Sequence, residues 1–159
     1  MSPLRTALEP AITPLFRLWW RFSRGMTLGV RGVATDAEGR ILLVRHTYVA
    51  GWFLPGGGVE HGETAEEALA REMAEEAGVR PEGALQLVGF YANHAAFPND
   101  HVLLYRVPAW TACPTASDGE IAERGFFALD ALPGDVTKAT RARLMELFGR
   151  GPRSPHWSS

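Results

Sequence analysis

The sequence is poor in several features that would point to a function class directly. It has a single cysteine, Cys113, which excludes an intramolecular disulfide framework and a thiolate metal cluster and makes a reducing, cytoplasmic setting the expectation. Charge of neither sign dominates. With 16 Lys and Arg against 18 Asp and Glu, the net charge of -2 leaves no broad basic footprint for long nucleic acid, while a small nucleotide stays compatible. No hydrophobic run is long enough to cross a bilayer: the most aromatic stretch, PLFRLWWRFSR from Pro14 to Arg24, is short and broken by arginines, and no cleavage site of a secretory signal stands out. A phosphate loop ending in Gly-Lys-Ser/Thr, a Rossmann glycine fingerprint, a Ser-His-Asp order and a Cys-His pair are all missing.

With 159 residues and 46% hydrophobic content, the chain fits one globular domain with a sizeable core. Residues 1–25 read as an aromatic, basic helical extension in which Arg17, Arg21 and Arg24 form a stripe. Such a helix suits packing on a sheet edge, a homodimer contact or peripheral contact with a membrane surface. Residues 26–148 read as the domain and 149–159 as a tail that is loose or packed only by Trp157.

Within the domain, Met26–Thr35 and Arg40–His46 read as two strands joined by a tight turn at Asp36-Ala37-Glu38-Gly39. Further strands are expected over Leu85–Asn93, His101–Val107 and Gly125–Leu129. A last helix is expected from the cap Thr137 to Phe148, with Leu144, Leu147 and Phe148 inward and arginines outward.

The most informative stretch is Gly57–Val79, GGVEHGETAEEALAREMAEEAGV. Thr64 and Glu67 form a capping-box pattern and Gly78 sits where a left-handed cap ends a helix. On a helix turning about 100° per residue, Glu72, Glu75 and Glu76 share one arc, beside an apolar arc of Leu69, Ala70, Met73, Ala74 and Ala77. Like charges at these spacings cost a few tenths of a kcal/mol per pair, which a hard cation such as Mg²⁺ would offset. An arbitrary Glu-rich helix face is more often a solvated surface. Here the helix follows Trp52-Phe53-Leu54-Pro55 and Gly56-Gly57-Gly58, a short strand running into a loop whose backbone can approach a ligand closely. Arg71, four residues from both Glu67 and Glu75, reads as an orienting group for its acidic neighbours.

Gly57, Glu63, Arg71-Glu72, Glu75-Glu76, Gly78 and Val79, at these spacings and without a gap, resemble the signature box of the Nudix hydrolases. Met73 stands where the family more often has Leu, Ile or Val, and as an adaptable apolar side chain it is expected to fill the same core position. The resemblance implies an α/β fold, an α/β/α sandwich with a mixed β-sheet, and covers roughly residues 26 to 148. It also implies metal-dependent hydrolysis of a phosphoanhydride in a nucleoside diphosphate linked to another moiety, such as a nucleotide sugar or a nucleoside triphosphate.

By the same resemblance, Glu72, Glu75 and Glu76 hold Mg²⁺ or Mn²⁺, the Gly56 or Gly57 carbonyl completes the shell, and Arg71 and Glu63 support the geometry. A loop glutamate, Glu120 before Glu123, adds a ligand or general base. Tyr48, Trp52, His94, Phe97 and His101 lie in loops or strand ends that could shape the substrate pocket. A nucleotide-sensing module without turnover is the competing reading; the intact set of three glutamates argues against it.

Overall fold

The computed structural model describes residues 25–116 and 119–158. The expected helix over residues 14–24 lies outside them. Among the described residues, seven strands and two α-helices follow in order: β1 (Thr27–Ala34), β2 (Ile41–His46), α1 (Ala65–Glu72), β3 (Val79–Glu82), β4 (Gln86–Ala92), β5 (Asp100–Val107), β6 (Ala109–Ala112), β7 (Ile121–Phe127) and α2 (Lys138–Leu147). β1 pairs in parallel with β5, and β5 pairs antiparallel with β4, so the three form a mixed sheet. Two antiparallel pairs, β2 with β7 and β3 with β6, extend the strand layer.

The expected turn forms, with the Asp36 N–H donating to Arg40 O and the Gly39 N–H to Asp36 O, both at 3.0 Å. Thr35 and Ile41 bridge across it, so the two strands and their turn form as expected, and the strands then part and take different partners. β1 and β2 both carry consecutive apolar residues, as strands covered on two faces do, and both find partners distant in sequence.

Alternation sorts those residues between two cores. Val30, Ala34, Leu42, Val44, Tyr105 and Val107 pack with Leu69 and Met73 of the first helical segment, whereas Val33, Ile41, Leu43, Val102 and Leu104 pack with Leu144 of α2. Helix, strand layer and helix are thus stacked in the α/β/α order. Met73 is fully buried and fills the core position expected of it. It lies so near β1 that a Cβ on Gly32 would come within 2.7 Å of its sulfur. Truncating such a side chain to alanine typically costs about 2–5 kcal/mol.

The capping box closes as expected: Glu67 N–H donates to Thr64 Oγ1 at 3.2 Å and Thr64 N–H to Glu67 Oε2 at 2.8 Å. Thr137 caps α2 through the Thr140 N–H at 3.3 Å. One arginine of α2 is not outside. Arg143 is 1% exposed, lies 4.5 Å over the Tyr91 ring, pairs with Glu146 at 3.2 Å and donates to His156 O at 2.7 Å. The tail is likewise tied down beyond Trp157, since Ala92 N–H donates to Pro155 O and Trp157 N–H to Ala92 O, each at 2.9 Å. Among the described residues no helix is long and apolar enough to cross a membrane.

Candidate active site

The site begins at the free edge of β1. Gly32 N–H donates to Pro55 O (3.0 Å), Val30 N–H to Gly57 O (2.8 Å) and Val59 N–H to Leu28 O (2.8 Å), so the glycine loop is stitched along the strand. The Gly57 carbonyl thus accepts a bond from the β1 backbone. The Gly56 carbonyl accepts instead from Arg31 Nη1, which also donates to Leu54 O at 3.0 Å.

Two of the glycines leave room for the site, Gly56 by its conformation and by backbone packed against it, Gly57 by the Glu72 carboxylate that a side chain would displace. Gly56 has φ +135°, and a Cβ there would lie 3.0 Å from Arg31 Cα. A Cβ on Gly57 would lie 2.6 Å from Cδ of Glu72, whose carboxylate rests on the loop.

Across from this loop, Arg71 gathers one side of the acidic face. Its guanidinium forks onto Glu63, Nε to Oε1 at 2.7 Å and Nη2 to Oε2 at 3.0 Å, and its Nη1 reaches Glu72 Oε1 at 2.8 Å and Glu75 Oε2 at 3.5 Å. Its Nη2 also donates to Gly58 O at 3.2 Å, which ties helix to loop. Hydrogen bonding from Arg71 holds the Glu63 carboxyl down at about 2, and the same bonds push Arg71 further above its usual range.

Glu76 faces the other way. From Met73 to Ala77 the helix widens into a π-helical turn, a form that recurs at functional sites, before Gly78 closes it at φ 67°. On this turn Glu76 is 8% exposed and its Oε2 accepts from the Gly56 N–H at 2.9 Å. Burial pushes its carboxyl up to about 7; the Gly56 amide and Arg31 oppose that rise, while Glu72 and Glu120 add to it. His46 Nδ1, buried and without a hydrogen-bond partner among the described residues, stands 3.7 Å from Glu76 Oε1. Burial and then the charge of Arg31 lower the His46 imidazole, favouring its neutral form.

The loop before β7 returns to this side, because Thr47 donates to Glu120 O through its N–H (2.8 Å) and its hydroxyl (3.2 Å). Glu120 is exposed and acts electrostatically on Glu76, His46 and Tyr48. Tyr48 is 71% exposed, with its ring 5.1 Å from that of His46. Burial first, then Glu76 and Glu120, raise its hydroxyl above the ordinary value.

Other expected residues lie elsewhere. Trp52 is not a base-stacking surface: it packs edge-on to Phe127 at 4.8 Å within the α2-side core. His101 stacks on Phe90 at 4.8 Å and His94 meets His101 edge-on at 5.1 Å, so these three rings form an aromatic group at the start of β5, with Phe97 exposed in the loop before it. The three glutamates also do not converge. Among the described residues no group of three His, Cys, Asp or Glu side chains is placed to hold a metal ion. Arg71 draws Glu72 and Glu75 to itself while the Gly56 amide draws Glu76, as like charges held by separate partners would be. Sequence reasoning missed Arg31 and His46; both sit inside apolar strands with no motif to mark them.

Comparison with known proteins follows the same geometry. The sequence profile of the NUDIX domain matches residues 25–148. A MutT-like protein of Streptomyces ambofaciens is 42% identical over 67 residues, 42% of this chain and 43% of the relative. An RNA pyrophosphohydrolase of Shewanella baltica is 42% identical over 60 residues, 38% of this chain and 34% of the relative. The matched segments therefore span less than half the length of these relatives. Among solved structures, a MutT NUDIX hydrolase from Burkholderia pseudomallei aligns with a TM-score of 0.66 at 29% identity, covering 77% of this chain and 98% of that one. An ADP-ribose pyrophosphatase from Streptococcus suis gives 0.55 at 28% identity, covering 84% and 96%.

Proposed function

The chain belongs to the Nudix hydrolase family, and from that premise we propose that it hydrolyses a phosphoanhydride bond in a nucleoside diphosphate linked to another moiety, with Mg²⁺ or Mn²⁺ as cofactor. The observation that carries the reading is the buried Glu76 carboxylate bonded to the Gly56 amide, beside the Arg71-held Glu72 and Glu75. The donor set is made of carboxylate and carbonyl oxygens, the chemistry a hard divalent metal takes, and a carboxyl pushed up to about 7 by burial is stabilised as an anion by an incoming cation; Glu72 and Glu76, held apart by Arg71 and the Gly56 amide, would have to turn toward the ion. Glu72, Glu76 and the Gly56 carbonyl would hold the ion, with Glu75 and Glu120 within the same acidic surround and water and substrate phosphate completing its shell. When bound, the metal neutralises phosphate charge and acidifies water.

The rest belongs to the chain's own residues. A water oxygen forms a bond to one phosphorus, the anhydride P–O bond breaks, and the leaving phosphate departs with its electron pair. The water proton passes to a carboxylate, for which Glu76, Glu75, Glu72 and Glu120 are the candidates. Arg71, forked onto Glu63, orients Glu72 and Glu75 and bridges to Gly58 O, so helix and loop are held in register. Tyr48, exposed beside His46, would meet the substrate from the loop, and His94 and His101, with the exposed Phe97, would offer aromatic faces at a second edge. The names of two related proteins, an ADP-ribose pyrophosphatase and an RNA pyrophosphohydrolase, add ADP-ribose and RNA to a panel of nucleotide sugars and nucleoside triphosphates.

The test is release of phosphate and nucleoside phosphate from that panel with Mg²⁺, with Mn²⁺ and with EDTA. Cleavage of one class, abolished by EDTA, is the expected result. Metal-dependent nucleotide binding without cleavage would replace the hydrolase with a sensor.

A further inference from the structure

The carbonyls of the glycine loop alternate in what they bind. Pro55 O and Gly57 O accept from the Gly32 and Val30 amides of β1, so Gly56 O between them points away from that ladder. What it meets is the side chain of the intervening strand residue. Arg31 Nη1 donates to Gly56 O and also to Leu54 O at 3.0 Å, so one nitrogen spans both sides of Pro55. Its charge is felt by Glu76 first and Glu72 next, the same carboxylates that border the Gly56 loop. Arg71 does not duplicate this role, because its guanidinium is spent on Glu63, Glu72, Glu75 and Gly58 O.

We propose that Arg31 is a positioning residue that competes with the divalent cation for the Gly56 carbonyl, so that this guanidinium sets the metal affinity of the acidic site. The inference rests on the metal reading above. A carbonyl oxygen that accepts from a guanidinium offers a dication a weaker ligand, and a positive charge a few ångströms away repels it. Removing that charge therefore tightens binding, while removing the fork frees the loop.

The experiment is the Mn²⁺ dissociation constant of the full chain by electron paramagnetic resonance at about pH 8.5, where Glu76 is ionised. Wild type is compared with Arg31→Met, Arg31→Gln and Arg31→Lys, and thermal melts verify that each is folded. Arg31→Met is expected to bind Mn²⁺ roughly tenfold more tightly. Arg31→Gln, which keeps one amide donor, should show the same gain with a smaller loss of melting temperature, and serves if the Met variant does not fold. Arg31→Lys, which keeps the charge, should stay within about twofold of wild type.

Unchanged or weaker Mn²⁺ binding in the folded neutral variants overturns the proposal. So does a rise in KM with Mn²⁺ affinity unchanged, which would make Arg31 a substrate contact. Glu76→Gln separates the two layers: if wild type and Glu76→Gln bind Mn²⁺ alike, or neither binds it, the metal site itself fails and this inference with it. If only Glu76→Gln loses binding while the Arg31 variants match wild type, the metal site stands and the role of Arg31 falls.

Discussion

Glu63 and Glu76 are the same residue type, at opposite edges of one acidic face, and the fold drives them in opposite directions. Glu63 lies at the solvent side, forked by Arg71, and its carboxyl is held at about 2. Glu76 is buried with one backbone amide and a neutral histidine for company, and its carboxyl is pushed up to about 7. The difference shows that the site separates two tasks. The Arg71 side fixes geometry with charges already paired; the Glu76 side keeps a carboxylate whose ionisation an incoming cation would stabilise.

Removing the Glu76 side should have the largest effect. Glu76→Gln keeps an acceptor for the Gly56 amide but loses the charge, and turnover is expected to fall by at least about a hundredfold. The metal-free variant should be as stable as wild type or more so at neutral pH, since a poorly solvated charge is gone. Parallel assays of hydrolysis and melting temperature check both; an active Glu76→Gln enzyme would remove Glu76 from the metal site.

The contrast also has a pH signature. Because the folded Glu76 carboxyl stands at about 7 against an ordinary 4.5, the folded state holds more protons between these values. Its contribution to stability is present below about 4.5 and is lost as pH rises through 7, a change of about 3 kcal/mol. Glu63 runs the other way: its contribution is present above its ordinary value and is lost as pH falls through about 2. Melts of the metal-free protein should show a downward slope from mildly acid to neutral pH that Glu76→Gln flattens and Mg²⁺ counters. An unchanged slope in that variant would refute the environment assigned to Glu76.

Weakening the Arg71 side should do less. Arg71→Lys keeps the charge but not the fork, and roughly a tenfold loss of turnover is expected. In a double-mutant cycle with Glu63→Gln, the two substitutions should be non-additive, since each removes the same fork. The smallest effect belongs to Glu120→Gln. Its carboxylate adds to the rise of Glu76 from an exposed loop, so the pH profile should move slightly toward acid with turnover falling only a few-fold. A loss as large as that of Glu76→Gln would instead make Glu120 the general base.

Local patterns in the sequence carried far into this fold. Thr64, Glu67 and Gly78 mark both ends of the helical segment because capping is decided within a few residues, and the consecutive apolar residues of β1 and β2 belong to strands covered on two faces. β3 and β6, only four residues each, carried no such pattern and exist through their mutual pairing. Trp52 illustrates the converse, since an aromatic next to a glycine loop has the same composition whether it lines a pocket or, as here, fills the core. The π-helical turn at Met73–Ala77 was equally silent, because even spacing assumes a uniform helix.

The sequence by itself determined the acidic box, its caps, its guanidinium and the family to which the chain belongs, since each depends on residue type at short, fixed spacing. Only the tertiary structure decided which carboxylate is paired and which is buried. It alone brought Arg31 and His46, 45 and 30 residues before Glu76 in the chain, against the glycine loop and that carboxylate. The reason is physical: desolvation and through-space charge depend on what surrounds an atom after folding, and no periodicity along the chain encodes that.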